Sequence, residues 1–199
     1  MTAVQSSPIH PVWLRVAHWA NALAFLVLMV SGWRIYNATA FLHFRIPAYL
    51  TLGDWLGGAL LWHFAAMWLL VANGLIYLVT NVLSGRLLRR FFPVSPRGLL
   101  HDMGAALRGH LMHDDPRQYN QVQKLAYLFA MLDGIALVLS GLVLWKSVQF
   151  GVLRTLLGGY EGARLIHFFA MSGGVAFLLI HVGMTLLFPR TLLTMTRGR

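Results

Sequence analysis

Four long apolar stretches dominate the chain: Val12–Tyr36, Trp55–Leu83, Leu125–Trp145 and Ala163–Phe188. A helix needs about 20 residues to cross a hydrocarbon core about 30 Å thick, and each stretch is that long. Turn and breaker residues punctuate them. Gly53-Asp54 precedes the second, Asp114-Asp115-Pro116 lies ahead of the third, and Pro189 follows the fourth. The pattern predicts an all-α integral membrane protein: a four-helix transmembrane bundle in a single domain over residues 1–199.

Composition agrees with that prediction. Of 199 residues, 58% are hydrophobic and 11% charged, and the mean hydropathy is +0.65. A soluble domain of this composition would expose too much apolar surface, so part of its solvent is lipid. The net charge of +10 raises nucleic acid as a partner, but the charges avoid the apolar stretches and gather in the loops, which is the membrane pattern. The loop from Ser84 to Asn120 carries Arg86, Arg89, Arg90, Arg97, Arg108 and Arg117, and the C-terminal tail adds Arg190, Arg197 and Arg199. The loop Phe41–Leu52 has only Arg45, and Ser147–Gly162 only Arg154 and Glu161; Arg34, Lys146 and Arg164 lie at helix ends on that side. The positive-inside rule places both termini and the central loop in the cytoplasm. Cysteine is absent, which excludes disulfides, thiolate metal sites, iron–sulfur ligation and thioether-attached haem. The N-terminus lacks a basic start, and its first apolar run is long and contains a histidine, unlike a cleaved signal.

Histidines inside the apolar stretches change the picture further. His167 and His181 are fourteen residues apart, which is roughly 40° short of four helical turns, with a rise of about 21 Å. They share one helix face at two depths. His18 lies near the cytoplasmic start of the first stretch, His181 about two turns from the cytoplasmic end of the fourth, and His63 and His167 near the opposite surface. Depth pairs His18 with His181 and His63 with His167. An intramembrane histidine is costly and functional by default, the alternative being a hydrogen bond between helices. Zinc or copper needs ligands converging on one point, whereas haem iron accepts two axial imidazoles. Two bis-histidine haems at two depths would make an electron path across the bilayer. His10, His43, His101, His110 and His113 lie in tails and loops and read as solvated. Arg15 on one side and Arg34, Lys146 or Arg164 on the other are candidate partners for haem propionates.

The chain also repeats itself. Gly58-Ala59-Leu60-Leu61-Trp62-His63-Phe64-Ala65-Ala66-Met67 aligns with Gly162-Ala163-Arg164-Leu165-Ile166-His167-Phe168-Phe169-Ala170-Met171, and Ser31-Gly32 aligns with Ser140-Gly141. In these registers His18 falls opposite Tyr127 and His181 opposite Tyr77. Two related hairpins of parallel topology therefore share the ligand position of His63 and His167. Gly32 and Gly141 sit mid-membrane, where a missing side chain admits a macrocycle or a close helix.

Arg15-Val16-Ala17-His18-Trp19, His63, the string Tyr119-Asn120-Gln121-Val122-Gln123-Lys124 and the His167–His181 spacing together resemble the bacterial cytochrome b561 and nickel–iron hydrogenase cytochrome b family. That family includes the gamma subunits of formate dehydrogenase and the cytochrome b subunits of thiosulfate reductase. The resemblance spans essentially the whole chain. It implies a bacterial inner-membrane protein with two haem b groups, His18/His181 holding the cytoplasmic one and His63/His167 the periplasmic one. It also implies a quinone site at Asn120 and Gln123 beside His181; by themselves these residues read as a polar helix entry, with Asn120 as N-cap. The expected activity is electron transfer between a periplasmic redox enzyme or cytochrome, of molybdenum or nickel–iron type, and the quinone pool. The alternatives are a self-standing oxidoreductase, such as one passing electrons from superoxide to quinone, and a haem-free transporter or scaffold with histidine proton relays.

Overall fold

The computed structural model describes residues 11–85, 89, 92–107 and 120–198. Helices account for nearly all of the regular structure: α1 (Val12–Ala38), α2 (Leu56–Leu83), α3 (Pro96–Leu107), α4 (Gln121–Trp145), α5 (Gly151–Leu156), α6 (Gly159–Leu187) and α7 (Pro189–Thr196), with a 3₁₀ turn at Ala48–Leu50. Among the described residues, α1, α2, α4 and α6 are long and apolar enough to cross a membrane. Each is apolar around most of its circumference, as a lipid-immersed helix must be; Leu83 is 81% and Leu186 74% exposed. The chain forms two compact units, Met1–Thr80 with Phe188–Arg199, and Asn81–Leu187.

In the first unit the turn after α1 is fastened by its own side chains. The Tyr36 hydroxyl donates to the Phe44 carbonyl at 3.0 Å, and the Asn37 amide exchanges two bonds with the backbone of Ile46, at 2.7 and 2.9 Å. The chain then reverses through Gly53 (φ +107°) and Asp54 (φ +50°), where glycine avoids the left-handed penalty. Gly58, in the first turn of α2, has no room for a Cβ because the Gly53 carbonyl lies against it. Deeper in the hairpin, Asn73 Nδ2 on α2 donates to the Ala17 carbonyl at 2.7 Å and to Asn21 Oδ1 at 2.8 Å on α1. Such interhelical bonds contribute about 0.6 kcal/mol on average and at most about 1.7. Asn73→Leu is therefore expected to destabilise the protein by that order, read as a lower thermal midpoint in detergent.

Pro189 does more than stop α6. Phe188 breaks the helix with non-helical dihedrals (φ −123°, ψ 71°), and Pro189 opens α7 from its first turn, the position where its missing N–H costs nothing. Arg15 Nη1 donates to the Thr196 carbonyl at 2.7 Å, and Trp19 Nε1 to the Met195 carbonyl at 3.2 Å. These bonds hold the end of α7 against the start of α1.

In the second unit, α4 and α6 form the hairpin. Both helices start four residues before the apolar stretches that mark them, at Gln121 and Gly159. A polar first turn extends a helix when its end is capped, and α4 carries a full capping box. Asn120 Oδ1 accepts from Gln123 N at 2.7 Å, while Gln123 Oε1 accepts from Asn120 N at 3.1 Å. Helix α3 lies within the region expected to be loop. It is tied to this entry by the Gln121 N–H, which donates to Asp102 Oδ2 at 2.8 Å, and by Gln121 Oε1, which accepts from Ser95 N at 3.2 Å.

Candidate functional site

His63 lies on α2 in the first unit, and its Nδ1 is 3.1 Å from the Oγ of Ser31 on α1. The serine hydroxyl hydrogen is directed at the Val27 carbonyl, 2.6 Å away, so its oxygen is left to accept the imidazole N–H. Ser31 is fully buried. A Cβ on neighbouring Gly32 would stand 3.4 Å from His63 Cε1.

The second unit reproduces this arrangement. His167 Nδ1 on α6 is 3.0 Å from Ser140 Oγ on α4 and 3.1 Å from the Leu137 carbonyl. The Ser140 hydroxyl hydrogen goes to the Ala136 carbonyl at 2.6 Å. A carbonyl only accepts, so Nδ1 carries the proton and Nε2 keeps its lone pair. Ser140 is fully buried, and a Cβ on Gly141 would stand 3.3 Å from His167 Cε1. Gly32 and Gly141 thus each border a histidine on the facing helix of their own hairpin, which their position in the sequence does not reveal. The helix starts match as well: Ala59 and Ala163 are both fully buried, and Gly162 is pressed against the Leu157 carbonyl as Gly58 is against that of Gly53.

The other two histidines have aromatic neighbours. The His18 ring meets Trp19 edge-on at 5.4 Å, and Asn73 bonds the carbonyl just before it, at Ala17. His181 stacks on Phe177 at 5.9 Å with 8° between the planes, and Phe177 in turn packs on Phe129 of α4. His18 and His63 belong to the first unit, His167 and His181 to the second. Asn120 and Gln123 are brought together in the capping box, the arrangement their polar sequence implies.

Two of the candidate propionate cations have bonds of their own. Arg15 binds the α7 carbonyl of Thr196, and Arg164 lies 3.2 Å from Glu161. Lys146 sits 5.2 Å over the Trp145 ring.

Asn73 and Asp133 belong to none of the sequence motifs above, and Ser31 and Ser140 enter them only through the repeat, not as polar contacts. Asp133 lies midway along α4, with Oδ1 3.4 Å from where a Gly173 Cβ would sit on α6. Its signal was available: it is the only acidic residue between Gln121 and Trp145, and an ionisable group at that depth is costly.

A buried imidazole with a free ring nitrogen has the donor chemistry of a metal or haem ligand. Among the described residues no three His, Asp or Glu side chains group to hold one metal ion. An imidazole that ligates haem iron needs one ring nitrogen free and a fixed tautomer. The repeated Ser-Gly/His arrangement supplies both.

The chain matches the family described as prokaryotic cytochrome b561 over residues 9–198. It is 60% identical over 190 residues to a protein of Azospira oryzae named for a protein-methionine-sulfoxide reductase subunit, YedZ1, covering 96% of each chain. It is 25% identical over 198 residues to a protein of Cupriavidus necator named for a Ni/Fe-hydrogenase B-type cytochrome subunit, covering 90% of this chain and 79% of that one.

Proposed function

The chain belongs to the prokaryotic cytochrome b561 family, and from that premise we propose that it is a dihaem electron-transfer cytochrome linking the membrane quinone pool to a periplasmic reductase. One transmembrane domain over residues 1–199 holds both haem b groups, with the termini in the cytoplasm of the bacterial inner membrane. His18 and His181 ligate the haem nearer the cytoplasm, and His63 and His167 the haem nearer the periplasm. The observation that carries this reading is the repeated Ser–His contact, at 3.1 and 3.0 Å, which engages Nδ1 of two equivalent imidazoles and leaves Nε2 as the ligating atom. Membership of a cytochrome family weighs against the haem-free transporter.

Bound haem supplies reversible one-electron chemistry, with a potential set by axial ligation and burial. The chain supplies the rest. Its four imidazoles would hold the haems, and its apolar helices would keep water away from them. Asn120 and Gln123 form the quinone site at the cytoplasmic entry of α4. The capping box uses only their amide oxygens, so both NH₂ groups remain as donors for a quinone carbonyl. The likeness to a protein named for a methionine-sulfoxide reductase subunit supports an outward flow of electrons, to a periplasmic enzyme acting on oxidised methionine.

The test is a reduced-minus-oxidised spectrum of the purified protein with quinol as reductant. A b-type α band at two haems per chain, reduced by quinol, is expected; a chain that carries no haem ends the reading. Asn120→Asp separates capping from quinone binding. Aspartate caps a helix as well as asparagine does but lacks the amide donor, so quinol reduction slows while the thermal midpoint holds. Asn120→Ala loses both, with about 1 kcal/mol of stability.

A further inference from the structure

Four ligands suffice for two haems, yet the same serine stands beside two of the four. We propose that Ser31 and Ser140 are positioning residues of a single haem. Each fixes the tautomer and ring plane of its axial imidazole and raises that ligand's basicity, which holds the haem of His63 and His167 at a lower potential than it would otherwise have. The proposal rests on the assignment of those two histidines to one haem.

The direction of the hydrogen bond is dictated locally. Each hydroxyl hydrogen is spent on the carbonyl four residues back, Val27 or Ala136, at 2.6 Å in both cases. The oxygen is thereby turned into an acceptor aimed at Nδ1. Both serines are fully buried, so no water competes for that oxygen, and the contact acts in a low dielectric. A Cβ added at the adjacent Gly32 or Gly141 would stand 3.4 or 3.3 Å from the Cε1 edge of the ring, so a side chain at either position would crowd the imidazole. An Nδ1–H bonded to an acceptor makes the distal nitrogen a stronger donor to a metal, and a stronger donor favours the ferric state.

Ordinary helix packing also lets serine bond back to the preceding turn. What ordinary packing does not require is the same serine, glycine and histidine meeting in the same way in both hairpins while most residues between them differ. His18 lies against Trp19 and His181 against Phe177, and the component that they are proposed to ligate is read in the same titration.

The experiment is potentiometric titration and low-temperature electron paramagnetic resonance of the full-length, haem-loaded protein carrying Ser31→Ala, Ser140→Ala or both. One of the two midpoint potentials should move upward in each single variant and further in the double, with a changed low-spin signal for that component only. His167 keeps the Leu137 carbonyl, so Ser140→Ala holds its ring in place and reads potential without loss of haem. Unmoved potentials and signals in the double variant overturn the proposal, as do single variants that move two different components. His167→Ala is run alongside. If it leaves both components intact, the ligand assignment fails and the proposal with it; if it removes one whose potential the serine variants never shifted, the serine role alone fails.

Discussion

With the proposed ligation, His63→Ala and His167→Ala are each expected to leave a chain with about half the haem of the parent, and both to lose the same spectral component. His18→Ala and His181→Ala lose the other one. In the proposed arrangement each substitution removes one of the two imidazoles that hold a haem, and alanine supplies no ligand in its place. The effect is the largest expected of any single substitution. Haem-to-protein ratio by the pyridine haemochrome assay and the low-temperature α band together read it. His63→Ala and His167→Ala abolishing different components would break the pairing, whatever the total haem content.

The second large effect concerns the two helix starts. Gly162→Ala and Gly58→Ala place a methyl group where the Leu157 and Gly53 carbonyls already lie. Those carbonyls are backbone and cannot swing aside, so the turn before each helix must move. Overpacking of this kind costs about 1–3 kcal/mol, which lowers the thermal midpoint by about 2–4 °C for each kcal/mol in a chain of this size. Gly74→Ala and Gly134→Ala provide the contrast. Among the described residues nothing lies within 4 Å of a Cβ at either site, and alanine gains up to about 1 kcal/mol in helix propensity over glycine. These two should be neutral or stabilising. Differential scanning fluorimetry in detergent separates the pairs, and a uniform response across all four would show that close backbone approach is not what keeps glycine at 58 and 162.

The helices were easy to find and their ends less so. Long runs of apolar residues advertise a span because lipid tolerates few alternatives, but the same signal is silent about polar first turns. Gln121 and Gly159 begin their helices before the hydropathy rises, since capping and turn geometry decide an end while hydropathy decides only the middle. The Asn120–Gln123 box was foreshadowed by its residue types. Helix α3 was not, because its pattern is short and its anchors, Asp102 and Ser95, meet Gln121 only in three dimensions.

The candidate site divides in the same way. Spacing and internal repetition single out His63, His167 and His181, because helical periodicity converts separation along the chain directly into face and depth. The family of the chain is likewise carried by its motifs. What only the tertiary structure decides is the environment of each ring: Ser31 turned toward His63, Ser140 toward His167, Asn73 binding the carbonyl before His18, and Phe177 stacked on His181. These contacts join residues on different helices or set a ring angle, and their direction depends on where a hydroxyl hydrogen is already spent. A sequence names the donors and acceptors; packing in three dimensions determines which of them meet.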